Sequence, residues 1–190
     1  MNTVSEKIKT LCADKNISKE ELSERSGLTL EQINLIEESE KIPSLSSLIK
    51  ISRALGVRLG TFLDDSEDIG PVIHRKADVN KKEAATFSSQ LSGSNSHMDF
   101  FSLAAKKATR HMEPFLIDIH KNEEAKKVSS SHEGEEFIYV MSGVVIINYG
   151  KEKYILNAGD SIYYDSIVEH LVSTETDEPT QILAVVYTPL

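Results

Sequence analysis

Cysteine is almost absent from this chain. Cys12 stands alone among 190 residues, so no disulfide can form within it, and a reducing cytoplasm suits such a protein. Long apolar runs are missing too. Nothing approaches the roughly 18 consecutive apolar residues that a membrane-spanning helix needs. Residues 1–10 carry charges and no apolar core, so no secretory signal is expected. Positive charge is also scarce: 21 Lys and Arg face 30 Asp and Glu, a net charge of −9. A protein that holds DNA by neutralising phosphates usually carries a basic surplus. The deficit is uneven, because residues 1–66 hold 9 basic and 11 acidic side chains and residues 67–190 hold 12 and 19. What is left is an ordinary globular composition, 39% hydrophobic and 27% charged, which excludes a disordered chain and suits two small domains.

The two parts of the chain have different hydrophobic periods. Val4, Ile8, Leu11 and Cys12 fall on one helical face, which makes Cys12 a core residue. Ser18 followed by Glu21 reads as a capping box opening a second helix, which Gly27 ends. Thr29 and Gln32 form another, with Ile33 and Ile36 inward. Pro43 and Ser44 start a fourth helix with Leu45, Leu48, Ile49, Ser52 and Leu55 on one face, and residues 59–63 can form a short fifth. Beyond them the pattern changes to short runs rich in Ile, Val and Tyr: 115–119, 136–140, 144–149, 154–157, 161–164, 170–173 and 182–187. Turn residues separate these runs, as in a β-barrel or sandwich. An acidic stretch ending in Gly70 and Pro71 divides the two parts, and the Ser-rich residues 88–96 read as an exposed loop.

Leu22, Gly27, Leu28, Thr29, Ile33, Ile36, Glu37, Pro43, Ser44, Leu45 and the stretch 51–57 resemble the XRE family of helix-turn-helix DNA-binding domains, over about residues 3–64. The resemblance implies that the third helix enters the major groove, with Thr29, Leu30, Glu31, Gln32, Asn34 and Leu35 at the DNA. Gln32 and Asn34 can read adenine, Glu31 can accept from cytosine, and the leucines can meet thymine methyls. Lys19 and Lys41 are the expected phosphate contacts. One departure stands out. Glu37, Glu38, Ser39 and Glu40 put acids where the family usually has a cation. The competing reading is a helix-turn-helix kept for protein contact.

His132, three residues, Glu136, six residues and Gly143, followed by Gly159 and His170, resemble the two motifs of the cupin superfamily, over about residues 100–190. The family's proline is Asp165 here, and Ser130 stands where many cupins have a further His. The resemblance implies one divalent metal (Fe, Zn, Ni or Mn) on His132, Glu136 and His170. A fully extended strand would part His132 from Glu136 by about 13 Å, so a bend is required, and Gly134 can supply it. The competing reading is a hydrogen-bonded polar cluster with no metal. Tyr139, Tyr164 and His111 are the candidates for a ligand pocket, and Glu133 and Glu135 read as solvated charges.

The expected fold is multidomain α + β. A five-helix helix-turn-helix domain spans residues 1–66, a linker 67–80, and a cupin (double-stranded β-helix) barrel 81–190. This order is similar to one-component regulators whose barrel senses a small molecule or metal. The expectation is a cytoplasmic homodimer that binds double-stranded DNA and a small-molecule effector, with no membrane role and no catalysis. The order also resembles non-haem-iron cupin oxygenases and epoxidases, in which the helix-turn-helix would be vestigial.

Overall fold

The computed structural model describes residues 3–39, 42–63, 70–75, 97–107, 110–121 and 129–189. Lys41, the proposed boundary at 64–69, linker residues 76–80 and the Ser-rich loop at 88–96 lie outside the described residues.

Among the described residues five helices come first: α1 Val4–Lys15, α2 Lys19–Ser26, α3 Leu30–Glu38, α4 Leu45–Ala54 and α5 Gly60–Leu63. Their starts follow from side-chain oxygens that satisfy orphan backbone N–H groups. Thr29 accepts from the Gln32 N–H while the Gln32 side chain accepts from the Thr29 N–H at 2.9 Å, a complete capping box. Thr3 and Glu6 make a second one that the sequence reading overlooked. The box expected at Ser18 forms only in part. Ser18 accepts from the Glu21 N–H, but the Glu21 carboxylate turns to Arg25 one helical turn on, where a full charge partner outweighs a backbone N–H. Gly27 sits at φ +70°, the left-handed conformation that ends α2 and aims α3. Ile8, Leu22, Ile33, Leu48, Ile51, Leu59 and Phe62 are essentially fully buried at the centre. Each contributes roughly 1.5–3 kcal/mol by leaving water.

Among the described residues eight strands follow: β1 Met98–Ser102, β2 Met112–Ile119, β3 Glu135–Ser142, β4 Val144–Tyr149, β5 Glu152–Asn157, β6 Ser161–Asp165, β7 His170–Ser173 and β8 Thr180–Tyr187. They form a five-stranded sheet ordered β1-β2-β8-β3-β6 and a three-stranded sheet ordered β5-β4-β7. All pairings are antiparallel. Side chains alternate across each strand. Phe115, Ile117, Ile138, Val140, Ile182, Ala184 and Val186 of the large sheet share one core with Val145 and Ile147 of the small one. Strand register then decides what reaches the interior. Glu136 of β3 stands level with Tyr164 of β6 and Val186 of β8, and His170 of β7 with Tyr149 of β4.

Candidate metal centre and DNA-binding surface

The bend expected between His132 and Glu136 is present. Gly134 has φ +105°, and a Cβ there would run into the carbonyl of Tyr187. The turn brings His132 back over the start of β3, so that its Nε2 lies 2.8 Å from Glu136 Oε1. His170 arrives from β7 with its Nε2 3.5 Å from the same oxygen. One donor atom from each of the three residues lies within 4.8 Å of the others, and all three side chains are buried.

Three kinds of support fix this cluster. Each imidazole holds a backbone carbonyl through Nδ1: Glu133 O at 3.0 Å for His132 and Val168 O at 2.9 Å for His170. That sets the tautomer and leaves both Nε2 atoms facing inward, the arrangement of metal-ligating histidines. Tyr164 donates its O–H to Glu136 Oε2 at 2.7 Å, which leaves Oε1 for the centre. Ser130, in the place of the extra family histidine, pairs by its backbone with His170 in both directions at 2.8 and 2.9 Å. Its hydroxyl lies 3.4 Å from His170 Nε2.

The electrostatics follow from burial in close company. Desolvation alone would raise the Glu136 pKa, but hydrogen bonds and charge from His132 and His170 outweigh it and hold the carboxyl far below the usual range. Burial would lower the His170 pKa, yet the hydrogen bond and charge of Glu136 leave it raised. Burial, and then the Glu136 charge, push the Tyr164 phenol well above its ordinary value, so it stays a donor. Two inward imidazoles and one carboxylate, each with its second oxygen or nitrogen already satisfied, fit a divalent ion such as Fe, Zn, Ni or Mn. They could hold one and leave positions open for a ligand.

The triad lines a cavity of about 480 Å³ whose walls mix apolar side chains such as Phe100, Ile117, Ile138, Val172 and Ile182 with polar ones such as Ser44, Ser129, Ser131 and Glu169. The three pocket candidates fare differently. Tyr164 stands behind the carboxylate rather than in the cavity wall. Tyr139 is corrected to the outer face of β3, since it is three residues from Glu136 and so of opposite parity, and it is 41% exposed. His111 is likewise corrected to an exposed position just before β2, away from the cavity. Two acids read as solvated have partners: Glu133 pairs with Arg53 of α4, and Glu135 accepts from the Tyr163 hydroxyl.

On the helical half, Leu30 (42% exposed), Glu31, Asn34 and Leu35 (50% exposed) form the open face of α3, with Thr29 exposed at its cap. Lys19 differs from the expectation of a free phosphate contact. Its ammonium lies 2.7 Å from Glu37 and donates to the Asn34 side chain at 3.0 Å. Glu37 is buried, and a buried carboxylate demands a counter-charge. One of the acids that seemed to oppose DNA is therefore an internal strut. Gln32 caps α3 and lines the cavity as well.

The geometry defines a two-part protein in which a helix-turn-helix domain precedes a cupin barrel. Residues 8–62 match the helix-turn-helix family HTH_3, and residues 115–186 match the cupin domain family Cupin_2. The chain thus carries an XRE-type helix-turn-helix domain followed by a cupin domain. No curated protein matches it. Among solved structures, an HTH_3 family transcriptional regulator from Vibrio cholerae is 18% identical, with 98% of this chain and 96% of that chain covered and a TM-score of 0.68. Fe(II)-HppE with an alternative substrate is 18% identical, with 97% and 96% covered and a TM-score of 0.50. Hydroxypropylphosphonic acid epoxidase from S. wedmorenis is 19% identical, with 97% and 96% covered and a TM-score of 0.48. At these identities the likeness is one of fold.

Proposed function

We propose that this protein is a DNA-binding transcriptional regulator, not an enzyme, whose cupin barrel senses a small molecule through a divalent metal. The observation that carries the reading is the pairing, in one chain, of an exposed α3 after a Gly27 turn with a buried His-Glu-His cluster in the wall of a partly apolar cavity. Domain limits of 1–66 and 81–190 with a linker at 67–80 are consistent with the helices and strands described. Thr29, Leu30, Glu31, Gln32, Asn34 and Leu35 are the proposed DNA contacts. His132 Nε2, His170 Nε2 and Glu136 Oε1 would hold the ion. A bound ion would supply a Lewis-acid anchor for an anionic effector group. The chain's own residues do the rest. Tyr164 and the two backbone carbonyls orient the ligands, and the apolar part of the wall offers a surface for the effector's body.

A cytoplasmic homodimer completes the proposal. Among the described residues no helix is long and apolar enough to cross a membrane. The outer face of the large sheet carries Met112, Tyr139, Met141, Tyr163 and Tyr187, each 41–63% exposed, as a surface a second copy can cover. Two copies also present two α3 helices to two half-sites.

The test has two arms. Metal content of chelator-free protein is measured after incubation with Fe(II), Zn, Ni or Mn, in the wild type and in His132→Ala and His170→Ala. One equivalent in the wild type and none in the variants is expected. Band shift of a DNA duplex at low salt is the second arm, with Leu35→Ala weakening it. The oxygenase reading shares the same three ligands. It requires oxygen consumption by the Fe(II)-loaded protein with a substrate, and it predicts no DNA shift.

A further inference from the structure

The cavity at the triad is not lined by the barrel alone. Its outer wall belongs to the helical half, with Leu28 at the turn, Gln32 on α3, and Leu45 and Lys50 on α4. Two contacts pin α4 to the segment that carries His132. Ser46 Oγ donates to the Ser131 carbonyl at 3.4 Å, and Arg53 pairs with Glu133. The Glu133 carbonyl in turn holds His132 Nδ1. A proposed metal ligand is therefore flanked on both sides by residues that grip α4.

We propose that this cavity is one effector site shared by the two halves, and that the effector is a small organic acid with an apolar body. Its acid group sits at the triad, its body runs along the sheet walls, and its far end rests on Leu28, Gln32 and Leu45. The proposal rests on the metal-and-effector reading above and adds the ligand class and a direct route to α3. Each region of the cavity sets part of the chemistry. A cation that His132, Glu136 and His170 would hold would draw an anionic oxygen donor. Walls such as Phe100, Ile138, Val172 and Ile182 offer no directional partner and favour methylenes or a ring. About 480 Å³ suits one small ligand. Among the other lining residues Lys50 adds a cation and Glu169 an acid.

The consequence for DNA comes from Gln32. It lies in the first turn of α3, the end of a recognition helix that contacts base edges. An occupant that holds Gln32 and α4 against the barrel holds that end of α3 there as well. Effector and DNA then compete, and by linkage each weakens the other by the same factor.

The experiment uses full-length, metal-loaded protein and calorimetric titration with straight-chain alkanoates of increasing length, and with the matching alkanols. Acids should bind at least about tenfold more tightly than alkanols, as expected of a charge-assisted anchor. Affinity should rise about fourfold per methylene until the chain meets the helical wall, and then level off. Leu45→Ala should weaken the longer acids roughly tenfold and leave the shortest acids as in the wild type. Gln32→Ala should act in the same direction and keeps the test open if Leu45→Ala disturbs folding. Identical chain-length profiles in the wild type and both variants would put the site wholly inside the barrel and overturn the sharing, with the sensor reading intact. Alkanols that bind as well as acids, or no alkanoate binding by protein that has taken up metal, would overturn the ligand class. Failure to take up any metal would remove the reading beneath the proposal and the proposal with it.

Discussion

Replacing Tyr164 with Phe deletes one oxygen atom from the wall behind the Glu136 carboxylate. The ring keeps its packing against His170 and Tyr149, at centroid distances of 5.1 and 5.3 Å, so the fold should survive. What is lost is a 2.7 Å hydrogen bond to a charged, buried group. Such bonds contribute about 1.5–3 kcal/mol, equivalent to roughly 10- to 100-fold in an equilibrium constant. The loss in metal affinity belongs at the lower end of that range. His132 also holds Oε1 at 2.8 Å, so the carboxylate keeps a second anchor when the phenol is removed. About a tenfold weakening is expected, in keeping with the 10- to 100-fold seen when groups supporting metal ligands are removed. Competition against a chromophoric chelator measures it. Tyr163→Phe is the control, since that hydroxyl is exposed on the opposite face and bonds Glu135. The reasoning fails if Tyr164→Phe binds metal like the wild type, or if Tyr163→Phe loses as much.

Other perturbations separate the roles assigned to neighbouring residues. In the metal-free protein the depressed pKa of Glu136 contributes stability above the ordinary carboxylate range that is lost in acid, and the raised pKa of His170 contributes stability below about pH 6.5 that is lost as pH rises. A bound metal would require the His170 imidazole unprotonated, so metal affinity should climb as pH rises through and above about 6.5, and a flat chelator titration between about pH 5 and 8 would contradict the assignment. Gly134→Ala forces a side chain into φ +105° and against the Tyr187 carbonyl, so urea denaturation should show a loss of about 2 kcal/mol or more together with loss of metal; unchanged stability would mean the bend is not needed. Lys19→Ala should lower the melting temperature by stripping Glu37 of its counter-charge, whereas Leu35→Ala should weaken DNA binding at unchanged melting temperature; the opposite pattern would return Lys19 to the DNA face.

Local signals were readable in the sequence, and contacts between distant segments were not. The Thr29 and Gln32 box, the stop at Gly27 and the apolar face of α4 are patterns within a few residues, and each forms as read. The triad was legible because its spacing matches a family pattern, and the need for a bend at Gly134 followed from strand geometry. Tyr139 could have been excluded by the same alternation that places Glu136 and Ile138 inward. β1 was missed because Met98–Ser102 is short and follows a polar stretch. The pairing of Lys19 with Glu37 and of Arg53 with Glu133 joins residues 18 and 80 positions apart, and no local rule selects one exposed charge among 51 for such a partner. Tyr164 could be proposed near the pocket, but its true place behind Glu136 depends on the register of β3 with β6.

Ser130 has a consequence for how this protein can change over time. Its backbone is stitched to His170 on both sides, so the position is held beside the triad whatever side chain it bears. The hydroxyl there is small and 3.4 Å from His170 Nε2. A histidine at this position would add a fourth protein donor without moving the backbone, tightening the hold on metal while closing a position that an incoming ligand needs. A substitution at this one residue would thus turn a three-donor site into a four-donor one without rebuilding the barrel.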